Sequence, residues 1–267
     1  MATAVDPDLS QLADLLAFTK KVLEAEEQRN AAYGKPSEHG PADLEPINYE
    51  AVLKAGITLD LSQVNISALP VEVIDVISRK VERLALSHNH QIFLPPQFAQ
   101  CARLRYLNIR WNQLKTVPDV IFQLPALEIL DLSKNKITTI PNSIKNLTSL
   151  RFLAMSRNRI EKLPVCIGTM TNLMKLKIED NPLSFPPPSV WAFDPGDESL
   201  TEGERDRIVC MRVQRFMRQR LVERNGLNAG LGSDEDARPN VKAFFLPNDL
   251  ISSPSTKALL WDFVQKV

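Results

Sequence analysis

Apolar positions in the middle of this chain follow a fixed frame. In LEILDLSKNKI, which begins at Leu127, apolar residues fall on the leading position, on Leu130, Leu132 and Ile137, with an asparagine, Asn135, just before the end. The frame returns every 23 residues, led in turn by Val81, Leu104, Leu127, Leu150 and Leu173 and closed by Asn89, Asn112, Asn135, Asn158 and Asn181. The alternation Leu130-x-Leu132 has the period of a short strand with one buried face. Ile137, Ile140, Ile144 and Leu147 then line a returning arm. Pro118, Pro141 and Pro164 favour an extended or short helical return over a second strand.

A unit of this length with the pattern L-x-x-L-x-L-x-x-N-x-L is a leucine-rich repeat. It predicts an α/β solenoid, a short curved horseshoe of about six repeats with parallel strands on its concave face. The asparagines form a ladder whose amides serve the exposed backbone of their own coil and the next. The first copy, ITLDLSQVNISALP, keeps Leu59, Leu61, Ile66 and Leu69 but has Val64 where the turn asparagine belongs, and it precedes the second by 25 residues rather than 23. Terminal repeats are commonly atypical in this way.

Both ends of the array need cover, because a solenoid exposes a hydrophobic face at each terminus. Asp6 and Pro7 open a helix expected over 7–32, with Leu9, Leu12, Leu15, Leu16, Phe18, Val22 and Leu23 as its apolar face. It either caps the first repeat or docks a partner. Residues 34–46 read as a loop and 47–55 as a short lead-in helix. After the prolines Pro186, Pro187 and Pro188, the spacing of Thr201 and Glu204 marks a capping box, opening a helix over 202–224 that stops at Asn225-Gly226. Its apolar face is Val209, Val213, Phe216, Met217 and Leu221, and it carries seven arginines between 205 and 224. These are solvated or paired with acids on a cap, or form a basic surface for phosphates or an acidic partner. The expected division is a helical cap and lead-in at 1–55, the solenoid at 56–190, a capping helix at 191–225, and a linker with a hydrophobic tail at 226–267. Ser253-Pro254 in that tail is a weak phosphorylation signal.

Bulk properties narrow the function by subtraction. Thirty-two acidic and thirty-two basic residues cancel, so no global field points to nucleic acid or an anionic membrane. No run of 18 apolar residues exists and the start, MATAVDPDLS, lacks a signal-peptide pattern, which predicts a cytoplasmic protein without membrane insertion. Cys101, Cys166 and Cys210 are an odd, scattered set, expected as reduced structural thiols. Gly-rich phosphate loops, nucleophile elbows and metal-ligand spacings are all missing. The expectation is a non-enzyme with no cofactor, no metal and no small-molecule substrate, whose work is binding protein partners.

Strand alternation locates the binding surface, because residues flanking the buried leucines face outward on the concave side. Ahead of the leucine pair stand Arg83, Tyr106, Ile129, Phe152 and Lys175, and between its members Asn108, Asp131 and Lys177. Arg110 follows, and Trp111, Lys134 and Arg157 lie nearer the rim. Tyr106, Ile129 and Phe152 fall on successive strands about 5 Å apart. They make an apolar centre with a basic and aromatic edge, suited to a partner that is acidic around an apolar spot. The alternative is cover from within the chain, the column's members sheltering one another or the termini lying across them.

From GITLDLSQVNISALP through LRYLNIRWNQL and LEILDLSKNKI to EDNPLSFPPPSVW, the chain resembles the leucine-rich-repeat scaffold of the fungal RAM (regulation of morphogenesis) signalling network. The resemblance covers about residues 55–220 and includes the arginine-rich helix. It implies a non-catalytic cytoplasmic scaffold acting with a protein kinase in cell polarity and morphogenesis. That family's larger carboxy-terminal domain has no counterpart in this sequence, and no partner-contact residue is carried over. A regulator or effector of a small GTPase or protein phosphatase would use the same concave face. A nucleic-acid or phosphate binder would depend on the arginine helix instead.

Overall fold

The computed structural model describes residues 9–32, 57–89, 92–193 and 200–229. They fall within the first of two compact units, Met1–Asn225, apart from the last helical residues, which belong to the second, Gly226–Val267. The expected loop at 34–46, the lead-in helix at 47–55, most of the linker, the hydrophobic tail and Ser253 lie outside the described residues.

The repeats build a leucine-rich-repeat solenoid with helical caps at both ends. Six parallel strands pair in chain order: β1 (Ile57–Asp60), β2 (Val81–Ala85), β3 (Tyr106–Asn108), β4 (Ile129–Asp131), β5 (Phe152–Ala154) and β6 (Lys175–Lys177). Leu59, Leu84, Leu107, Leu130, Leu153 and Leu176 align across them and are wholly buried. On the return side, α2 (Val71–Ile77) serves the first coil, and one-turn 3-10 helices at Pro96–Gln100, Asp119–Gln123, Asn142–Asn146 and Val165–Thr169 serve the next four. Each begins at or just after a proline, whose missing N–H is no loss at a helix start.

The asparagine ladder binds its own coil and the preceding one, rather than the next. Asn135 Nδ2 donates to the carbonyls of Leu132 (3.0 Å) and Ile109 (2.9 Å), and its Oδ1 accepts the Leu114 N–H at 3.1 Å. Asn158 and Asn181 repeat the arrangement. Asn89 reaches back to Leu61 O and the Ile66 N–H, which supplies the turn chemistry that Val64 cannot.

At the N-terminal end, α1 (Leu9–Ala32) packs on β1 and α2. It buries Leu15, Thr19 and Leu23, with Thr19 Oγ1 bonded to Leu15 O at 2.7 Å. Phe18, expected in the apolar face, is 45% exposed. It is three residues from Leu15 but five from Leu23, off the stripe that Leu15, Thr19 and Leu23 define. At the other end, α3 (Pro188–Trp191) leads towards α4 (Glu202–Ala229). The capping box forms as expected: Glu204 Oε2 accepts from Thr201 N at 2.8 Å and from Thr201 Oγ1 at 2.7 Å. The helix runs on through Asn225-Gly226, because an interior glycine costs only about 1 kcal/mol and does not end a helix by itself.

α4 closes the last coil by bonding its carbonyls. Gln214 Nε2 donates to Met170 O at 2.8 Å and Leu173 O at 3.2 Å, and Arg218 Nε donates to Gly168 O at 3.0 Å. Arg218, although exposed, is therefore engaged with a backbone carbonyl rather than with an acid. The approach is close at Gly168, where a Cβ would lie 2.8 Å from the Arg218 backbone nitrogen.

Candidate protein interface on the concave face

Register sets the geometry of this face. Arg83, Tyr106, Ile129, Phe152 and Lys175 are direct partners on successive strands. Ile129, flanked by Tyr106 and Phe152, is only 6% exposed, so the open position expected for it is a sheltered one. Tyr106 and Phe152 are half-buried. Burial, followed by the Asp131 carboxylate, pushes the Tyr106 hydroxyl above its ordinary pKa.

Both ends of the column are engaged. Arg83 is buried, not open: its Nη1 donates to Thr58 Oγ1 at 3.2 Å. Desolvation lowers its pKa, opposed by Glu82 and by Glu26 of α1. At the far end Lys177 pairs with Glu202 and, at 3.5 Å, with Asp206, both on the first turns of α4. Burial pulls the Lys177 ammonium down, but Glu202, Asp206 and Glu179 outweigh it and hold its pKa above the usual value. The Lys175 Nζ lies 3.3 Å from where a Cβ on Gly203 would stand. Lys175 and Lys177 thus meet the cap rather than presenting an open basic surface.

Two other nominated residues serve the backbone. Asn108 Oδ1 accepts the Arg110 N–H at 3.0 Å and Asp131 Oδ1 accepts the Ser133 N–H at 2.8 Å, as Asp60 does for Ser62. These side chains hold the turn that leaves each strand.

The rim holds a feature that the repeat pattern did not announce. His88, Trp111, Lys134, Arg157 and Asp180, each just before a ladder asparagine, all have φ between 55° and 58°. This left-handed conformation is uncommon for residues other than glycine, and a bulky tryptophan there is an outlier. The only available signal was position, immediately ahead of the ladder asparagine. Their side chains stack along the rim, with the His88 and Trp111 rings 5.3 Å apart and Lys134 Nζ 4.0 Å from the Trp111 ring centroid. Arg157 Nε contacts Asp180 Oδ2 at 3.0 Å. Trp111 is 47% exposed. Desolvation, then the neighbouring charges of Arg110 and Arg157, draw the Lys134 ammonium below its usual pKa.

Thiol chemistry is suppressed. Burial pushes the Cys101 and Cys210 thiols up to about 12 and also raises that of Cys166, so all three stay protonated at neutral pH. Among the described residues no cluster of His, Cys, Asp or Glu could hold a metal ion, and no helix is long and apolar enough to cross a membrane.

Comparison with known proteins finds a family match over the middle repeats. The leucine-rich-repeat family matches residues 103–160. Over 63 residues the chain is 44% identical to the leucine-rich repeat-containing protein sog2 of Schizosaccharomyces pombe, a stretch covering 24% of this chain and 7% of that protein. Leucine-rich repeats are generally protein-interaction modules.

Proposed function

We propose that this chain is a non-catalytic protein-binding scaffold whose concave face captures a partner in a kinase signalling network of cell polarity or morphogenesis. The observation that carries the reading is the surface from Tyr106 across Ile129 to Phe152, bordered by the exposed Trp111 and by Lys134. An aromatic anchor with an adjacent cation, on a rigid sheet, has the composition in which interfaces concentrate their energy. Partial identity to sog2, itself a leucine-rich repeat-containing protein of a fungus, supports the choice of network that the RAM-scaffold resemblance suggests. Arg83, Lys175 and Lys177 belong to the caps in this reading. Arg110, Trp111, Lys134 and Arg157, with the apolar column, form the contact surface.

The arginine helix has less to offer a nucleic acid than its composition promised. Arg218 serves the Gly168 carbonyl, Arg205 and Arg212 lie over the Phe193 ring, and Arg220 pairs with Glu223. The test is affinity purification from a fungal lysate at physiological salt with wild type and Trp111→Ala. Capture of a protein kinase by wild type, lost in the variant at unchanged melting temperature, is expected. Capture of a small GTPase or phosphatase instead would move the protein to another network, and equal capture by both proteins would refute Trp111 as the anchor of the concave-face site.

A further inference from the structure

The groove between the later strands and the C-terminal cap, about 820 Å³ in volume, has ends of opposite charge. Towards the middle of the array stand Arg110, Lys134 and Arg157. Arg157 is paired with Asp180, but neither Arg110 nor Lys134 has a carboxylate partner among the described residues, and Arg110 Nε is buried without an acceptor. Asp131 also lines the groove, with its Oδ1 accepting the Ser133 N–H. Against the cap, Glu179, Glu202 and Asp206 gather around Lys177, with Arg205 also in the lining but held over the Phe193 ring, and the buried Asp206 keeps one carboxylate oxygen, Oδ1, without a donor. Between the ends in strand order lie Phe152 and Ala154 on β5, and Trp191 and Phe193 complete the apolar lining.

An isolated anion would satisfy one end and be repelled by the other, and a nucleic acid would bring phosphates against three carboxylates. A peptide that carries both signs matches both ends. Arg110 follows β3 and Glu179 follows β6, three strand spacings or about 14 Å apart, which an extended chain covers in about four residues.

We propose that this groove binds an extended segment of a protein partner with an acidic and a basic side chain about four residues apart and an apolar one between. The acid lies towards Arg110 and Lys134, the base towards Asp206 and Glu179, and the apolar side chain over Phe152. The inference rests on the concave-face reading above and specifies its ligand. Charge at the two ends then fixes the direction and register of the bound segment, while the Phe152 surface supplies apolar contact.

The experiment uses the full chain and a set of labelled peptides, each with a central leucine in a Gly/Ser background and one Glu and one Lys at separations from about two to about eight residues. Fluorescence polarisation at physiological salt is expected to give tightest binding near a separation of four, about tenfold above Glu/Glu, Lys/Lys and uncharged controls. Arg110→Gln with Lys134→Glu should shift the preference to Lys/Lys peptides, and Asp206→Asn should shift it towards Glu/Glu. Lys134→Glu alone, at the rim, keeps the test decisive should the buried Asp206 variant unfold. Affinities independent of separation, a ranking unchanged by these substitutions, or binding no better than the uncharged control would overturn the proposal. So would sedimentation showing a dimer of the chain alone that Lys134→Glu dissociates, which would assign the groove to a second copy. If Trp111→Ala abolishes partner capture while the end-charge variants do not, the concave-face reading survives and this inference falls. If the peptides rank as expected while Trp111→Ala captures its partner normally, the inference stands and the aromatic anchor falls.

Discussion

Removing one ladder asparagine should cost less than its bond count suggests, and removing two adjacent ones should cost more than their sum. Asn135 makes three short bonds, but two of its acceptors are shared: Ile109 O also receives Asn112 Nδ2 at 3.0 Å, and Leu132 O also receives Asn158 Nδ2 at 3.0 Å. In Asn135→Ala both carbonyls keep one donor, and only the Leu114 N–H loses its amide acceptor. One orphaned buried N–H costs about 1–3 kcal/mol, so the single variant should lose about 2 kcal/mol. In Asn112→Ala with Asn135→Ala, Ile109 O loses both donors, which adds a penalty absent from either single variant. The coupling should be about 1 kcal/mol or more beyond additivity. Asn112 and Asn158 share no acceptor, so their double variant should be additive within about 0.5 kcal/mol. Urea unfolding of the three singles and two doubles, followed by circular dichroism, measures both cycles. If the adjacent pair is as additive as the separated one, the shared carbonyls are not what ties the coils together.

Other outcomes follow from the caps. Gly168→Ala forces a Cβ to within 2.8 Å of the α4 backbone and should cost about 1–3 kcal/mol; an unchanged melting temperature would mean that α4 is not seated there. Arg218→Ala should destabilise by about 1–3 kcal/mol through the unpaired Gly168 carbonyl, whereas Arg215→Ala should do nothing measurable by the same thermal melt. Desolvation raises Asp206 from 3.8 to about 6 against the pull of Lys177, with Glu179 and Glu202 adding to the rise. Because the folded state holds this proton more tightly, the stability it contributes is full below about pH 4 and lost as pH rises through about 6, by up to about 3 kcal/mol. Glu202 and Glu204, with lowered values, act in the opposite sense, losing stability as pH falls. The measurement is therefore the stability difference between wild type and Asp206→Asn, which should move in favour of the variant from pH 4 to pH 7; a constant difference would refute the assignment.

What was legible in the sequence is what the repeat determines locally. A strict period of 23 and an alternation of two place Tyr106, Ile129 and Phe152 side by side without knowledge of the rest of the molecule. The capping box is likewise local, resting on Thr201 and Glu204. Asn108 and Asp131 could have been assigned to turns, since each stands two residues before the N–H it accepts, as Asp60 does. The left-handed rim had no compositional signature, because histidine, tryptophan, lysine and arginine occupy positions where glycine or asparagine would have advertised the conformation.

Non-local packing decided the rest, and it did so in the same way at both ends. A solenoid's terminal strands must meet a cap, and the polar residues they present on the concave side become contacts for that cap. Arg83 on β2 sits among Thr58, Glu82 and Glu26 of α1, and Lys177 on β6 sits against Glu202 and Asp206 of α4. Periodicity treats these basic residues as equivalent to Arg110 and Lys134, because nothing within a single repeat records its distance from the end. Among the described residues, the concave cations Arg110 and Lys134, which have no carboxylate partner, therefore lie in the middle coils, beside the exposed Trp111. In the concave-face reading proposed above, a partner that reads charge engages the third and fourth repeats, and lengthening the array by one internal repeat would extend that surface while the cap contacts stayed with the terminal coils.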